Sequence, residues 1–174
     1  MATTRRSFLR MGALAAAALA VGGGVYRFTR MAPAPSRFVL DGEARAAIDA
    51  MVPAMLAGAV PVEPAARAAS VSACTARVHD AILGLPLSAQ KEVQDLFGLL
   101  ALGPARRFLA GIPDGWAAAT PEQVGAFLQG WRTHRLEMLQ TAYHALHDLV
   151  IGSWYADSSS WAAIGYPGPI KQLS

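Results

Sequence analysis

Apolar side chains recur at spacings of three and four through most of the chain, and no stretch sustains the two-residue alternation of a half-buried strand. The pattern is clearest over residues 131–169, which read as the stretch around which the rest is organised. There Leu136, Leu139, Tyr143, Leu146 and Val150 fall on one helical face. Beyond Gly152-Ser153-Trp154-Tyr155 the period is lost. A polar turn, Asp157-Ser158-Ser159-Ser160, leads into Trp161-Ala162-Ala163-Ile164-Gly165-Tyr166-Pro167-Gly168-Pro169, whose glycines and prolines exclude regular structure at its end. This segment is too apolar for a solvated tail, so it needs a surface to lie on, either its own domain's or a partner's.

Earlier helices are marked by their punctuation. Asp41 is placed to cap a helix through Ala44, Ile48, Met51 and Val52, with Glu43 in its first turn, and Pro53 predicts a kink or restart. Gly58 and Pro61 mark a loop. Glu63-Pro64 opens a second helix, which reaches about Leu83 and is ended by Gly84 and Pro86. Ser88 is predicted to cap a third, with Val93, Leu96, Phe97 and Leu100 on its buried face, and Gly103-Pro104 stops it. A short helical segment over 105–110 and a loop over 111–115 follow. Thr120-Pro121-Glu122-Gln123 then joins an N-cap, a proline at the first helical position and a capping-box glutamine. Its helix should bury Val124, Phe127, Leu128 and Trp131 and break near Thr133-His134. With no internal repeat, the expectation is an all-α bundle of five or six helices closed by an irregular, aromatic, Gly/Pro-rich segment.

The N-terminus changes how the charge is read. Thr4-Arg5-Arg6-Ser7-Phe8-Leu9-Arg10 precedes an uncharged apolar run over 11–26, a basic region followed by a hydrophobic one. Paired arginines followed by Phe8 and Leu9 resemble a twin-arginine export signal, so residues 1–34 are expected to form that signal and 35–174 a single helical domain. Ala18-Leu19-Ala20 lies inside the apolar run and Ala32-Pro33-Ala34 precedes a proline, so an uncleaved leader would persist as a membrane tether. The full chain carries +3, but residues 1–34 hold five arginines and no acid. The ten basic and twelve acidic side chains that remain give about −2, which removes the main support for a nucleic-acid partner.

Candidate chemistry is sparse. Cys74 is the single cysteine, which excludes an internal disulfide, a cysteine-held iron–sulfur cluster and a Cys-x-x-Cys-His haem attachment. It shares a face with Val71, Val78, Ile82 and Leu85 and reads as a small core residue. His144 and His147 lie three apart beside Asp148, with His134 and Glu137 upstream. A metal there would need a further ligand, and because the opposite face carries the core residues the pattern reads as a solvated or interface-facing face rather than a site. The glycines Gly22-Gly23-Gly24 fall inside the leader, and Ser158-Ser159-Ser160 has no nucleophile-elbow context.

Several stretches together resemble a known family. They are the twin-arginine leader, Ile48-Asp49-Ala50-Met51-Val52-Pro53-Ala54-Met55-Leu56, Leu85-Pro86-Leu87-Ser88, Leu96-Phe97-Gly98-Leu99-Leu100, Phe127-Leu128-Gln129-Gly130-Trp131-Arg132, Trp154-Tyr155 and the Gly165-Tyr166-Pro167-Gly168-Pro169 ending. The sequence is similar to the gluconate 2-dehydrogenase subunit 3 family, the small subunits of membrane-bound, flavin-dependent sugar and alcohol dehydrogenases. The resemblance implies a chain with no cofactor of its own, neither catalytic nor metal-binding. FAD would sit in a large partner subunit of the glucose-methanol-choline type, a multihaem cytochrome c subunit could take its electrons, and the twin-arginine translocase would deliver the assembly to the periplasm. Trp154, Tyr155, Trp161, Ile164, Tyr166 and Pro167, within the tail 152–174, are the expected partner-binding residues. Two other readings stand beside it: a metal-binding or catalytic protein using His134, Glu137, His144 and His147, and a free-standing envelope protein whose tail packs on its own core.

Overall fold

A computed structural model of the chain describes residues 37–168, Asp41 excepted. The export signal, with Arg5, Arg6, Phe8 and Leu9, and the expected cap Asp41 lie outside the described residues. The chain divides into two units, Met1–Ser36 and Arg37–Ser174, and the second carries the fold described here. It is an all-α bundle whose long helices are α1 (Gly42–Met55), α2 (Pro64–Leu83), α3 (Leu87–Ala101), α4 (Pro121–Arg132) and α5 (Glu137–Tyr155). None of the described residues is in a strand.

The helix at the centre is α1, which packs on each of the other four and on the turn at Trp116. Its buried face, Ala44, Ala47, Ile48, Met51 and Val52, alternates small and large side chains, so neighbouring backbones come close while the larger groups fill the gaps. Each of Ile48, Met51 and Val52 is almost wholly withdrawn from water, worth roughly 1.5–3 kcal/mol apiece against exposure. The expectation that the last third organises the fold is therefore corrected. The most extensive pairing does involve α5, against α2, but α1 is the common partner. Alanines give a weak hydrophobic signal, and that hid the hub.

Most punctuation acts as the sequence requires. Glu63 caps α2 by accepting from the N–H groups of Ala65 and Ala66 at 2.9 and 2.6 Å, with Pro64 behind it where no donor is needed. Thr120 and Gln123 form the reciprocal capping box of α4. Val124, Phe127, Leu128 and Trp131 are buried, and Cys74 is fully buried. Three expectations need correction. Pro53 causes no restart: it sits in the last turn of α1, where a missing N–H deprives only the Asp49 carbonyl, and the helix still runs to Met55. Ser88 is not a cap. The helix starts one residue earlier, with Pro86 at the cap position and no side-chain cap bond. Leu136 does not join the buried face of α5, because it is that helix's N-cap, with extended backbone and a half-exposed side chain.

The stretch between α3 and α4 is denser than its glycines suggest. One α-turn (Gly103–Ala105) runs into a π-helical turn (Arg106–Ala110) ended by left-handed Gly111. From that turn Arg106 reaches back to α1, its Nη1 donating to Glu43 Oε2 at 2.9 Å. The same carboxylate oxygen accepts from the Trp116 N–H at 3.3 Å. Gly115, at φ 96°, lets the chain pass: a Cβ there would stand 3.3 Å from Glu43 Oε1. Trp116 is thereby driven into the core, its Nε1 donating to the Leu100 carbonyl at 3.0 Å and its ring edge-on to Phe127, which in turn meets Trp131.

Buried Gln90 ties three further segments together. Its Oε1 accepts from the Phe38 N–H at 3.1 Å, and its Nε2 donates to the carbonyls of Leu83 and Leu85 at 3.1 and 2.8 Å. Phe38 is buried against Phe97 and His79.

Candidate docking surface

The C-terminal segment is built around one latch. At the end of α5, Arg77 from α2 donates through Nε to the Ser153 carbonyl at 2.9 Å, and its Nη1 pairs with Asp157 Oδ2 at 2.7 Å. Asp157 in turn caps a 3-10 turn (Ser158–Ser160), accepting from the Ser159 N–H at 2.9 Å. That backbone N–H first, then the Ser159 side chain and Arg77, hold the Asp157 carboxyl below its ordinary value. Ser160 Oγ donates back to the Asp157 carbonyl at 2.7 Å, which closes the turn.

The tail then winds around Trp161. Its Nε1 donates to the Tyr155 carbonyl at 2.8 Å, and its ring meets Tyr166 edge-on at 5.1 Å. A second 3-10 turn (Ala162–Ile164) ends at left-handed Gly165, and the Tyr166 N–H returns to the Trp161 carbonyl at 3.0 Å. Gly168, at φ 96°, lies where a Cβ would come within 3.2 Å of the Trp161 ring. Glycine and proline thus confine irregular backbone to the last residues, while 158–164 are two short turns that the composition did not reveal.

The expected partner-binding residues divide. Trp154 is 9% exposed and belongs to the core, so of its two possible uses the geometry realises packing on the chain's own helices. Tyr155 is half-buried against that core and Trp161 is partly covered. Ile164, 55% exposed, Tyr166, 46% exposed, and Pro167 face outward. Beside them a cleft of about 170 Å³ is lined by Pro61, Ser70, Tyr155, Ser159, Ala163 and Ile164 among others, with hydroxyls and apolar surface together. Val60, buried in the turn after α1, and Arg77 are residues that sequence reasoning missed; Arg77 lies mid-helix with its partners 76 and 80 positions away, so no local pattern could have flagged it.

His144 and His147 both lie on α5 against the Tyr143 ring, while His134 stands before the helix. His134 Nδ1 accepts from the Leu136 N–H at 3.1 Å, a local bond at the break before the helix. His144 is exposed, with Tyr143 edge-on to it, and His147 Nδ1 lies 3.2 Å from Asp148 Oδ1. Among the described residues no three of His, Cys, Asp or Glu stand close enough to hold one metal ion. None of the described helices is long and apolar enough to cross a membrane. No protein-family model, curated protein or solved structure matches this chain.

Proposed function

We propose that this chain is the non-catalytic small subunit of a flavin-dependent dehydrogenase, which escorts its large subunit through twin-arginine export and remains a periplasmic assembly or stability partner. The observation that carries the reading is the tail: an apolar segment wound tightly on Trp161 yet holding Ile164 and Tyr166 to solvent. Aromatic and branched anchors already fixed in place lose little entropy on docking, and such anchors dominate interface energetics. The leader adds direction. Twin-arginine export suits cargo folded around a cofactor, and a chain with one buried cysteine and dispersed histidines is most simply the signal-bearing companion of a protein that holds one. The resemblance to the gluconate 2-dehydrogenase subunit 3 family names that companion as an FAD-containing large subunit, with a multihaem cytochrome c as a third component.

Deletion of residues 161–174 tests this. The shortened chain keeps the Arg77–Asp157 latch and all five long helices, so it should retain its helicity and cooperative melting while no longer co-purifying with a co-expressed large flavoprotein subunit. Loss of the cooperative transition would show that the tail is core, and the docking assignment would be wrong.

A further inference from the structure

A second surface lies at the other end of α5, and the docking role of the tail does not enter into it. Trp131 Nε1 donates to the Leu109 carbonyl at 2.9 Å, which ties the π-helical turn to the end of α4. The His134 N–H returns to the Trp131 carbonyl, and Gln140 Nε2 donates to the His134 carbonyl at 2.6 Å, which folds the start of α5 onto the same end. Three segments therefore converge around buried Trp131. What they expose is unusual: Phe108 is 83% accessible, Leu136 53% and Met138 71%. Interleaved with these are Arg107, Arg132 and Arg135, all exposed and none paired with a carboxylate among the described residues. Glu137, exposed between Leu136 and Met138, is the acid on these same stretches, so three arginines against one carboxylate leave this end positive in a domain whose own balance is negative.

From this we infer that the Phe108–Met138 end is a membrane-contact face, which seats on an anionic phospholipid surface with the apolar side chains in the headgroup boundary and the arginines on the phosphates. Charge decides for lipid over a generic apolar partner. Unpaired arginines set among protruding Phe, Leu and Met side chains match an interface that is anionic outside and apolar just beneath. The π turn helps to set the protrusion, because Arg106 is committed inward to Glu43 while Arg107 and Phe108 point away. With 19 residues at about 1.5 Å each, α5 separates this face from the tail by roughly 28 Å, so both could be occupied at once.

Cys74 is fully buried, which allows a single-site label at a new cysteine. The full-length Phe108→Cys variant, carrying an environment-sensitive fluorophore, would be mixed with vesicles of phosphatidylcholine alone or with one-third phosphatidylglycerol. The expected result is a blue shift on the anionic vesicles only, reversed by salt, with no shift for a label at exposed Ala145. Adding Arg107→Gln, Arg132→Gln and Arg135→Gln should raise the lipid needed by roughly tenfold or more. Because the label reports its own position, binding through the leader cannot mimic this. The inference fails if label 108 stays in water while the protein sediments with the vesicles, or if both lipids shift it equally. It fails too if the label responds to a solubilised flavoprotein subunit and not to vesicles, which would assign the face to a protein.

Discussion

Trp154 and Tyr166 are twelve positions apart and chemically alike, yet the structure buries the first and leaves the second exposed. Trp154 → Ala should destabilise the domain by about 3–5 kcal/mol, since the ring is buried between α5 and its neighbours and leaves a cavity behind. Tyr166→Ala should leave the denaturation midpoint within the scatter of about 0.5 kcal/mol expected of surface changes, and should instead weaken retention of the large subunit. Urea titration alongside a pull-down separates the two, and a destabilised Tyr166→Ala would count against an outward-facing role. Residues of this kind are partly legible. Cys74 could be placed in the core from its helical neighbours, and Trp154 could be put in register with them. Glu43, Gln90 and Trp116 could not, because each makes a deciding bond to a distant residue (Arg106, Phe38 and Glu43 respectively), which no window of local pattern contains.

At the scale of elements, the N-cap of α2 makes a clear statement about acid. The Ala65 N–H, then that of Ala66, hold the Glu63 carboxyl below its ordinary value. A carboxyl depressed in the folded state stabilises fully above its unfolded value and loses that contribution as pH falls through the folded one. The melting temperature should therefore fall below about pH 4.5, and Glu63→Gln should flatten that part of the curve while lowering its plateau. A curve of unchanged slope would mean that the cap is not formed in solution. Caps of this sort are what made the helix starts at Glu63 and Thr120 readable. The start of α3 differs from that pattern because Ser88 has the right chemistry two positions past the actual cap, Pro86, which already fixes the entry. The π turn was invisible for a related reason: nothing in Arg106-Arg107-Phe108-Leu109-Ala110 distinguishes an i→i+5 bond pattern from an ordinary turn, and the inward pull on Arg106 comes from α1.

For the whole molecule, the all-α class follows from apolar periodicity, while the central position of α1 depends on backbone approach, which alanine permits and hydropathy does not register. The tail's separation into a buried Trp154 and an exposed Ile164 and Tyr166 depends likewise on the Arg77 latch, which tertiary packing sets. The escort reading makes its own claim at this scale. Replacing Arg5 and Arg6 by Lys should leave both this chain and its flavoprotein partner in the cytoplasm, as fractionation would show. Normal export of the partner in that strain would refute escort, although the tail could still bind.

Gln90 joins the start of the domain at Phe38, the end of α2 at Leu83 and the turn at Leu85 through one amide. None of these can loosen alone without leaving a buried polar group unpaired. The consequence is kinetic. In native-state hydrogen exchange the amide of Phe38 should exchange with the slow helical amides of α2 and α3, not with the fast ones usual near the start of a fold. The entry to the domain would then open only when the bundle does, and an early-exchanging Phe38 would show that this amide knot is not closed in solution.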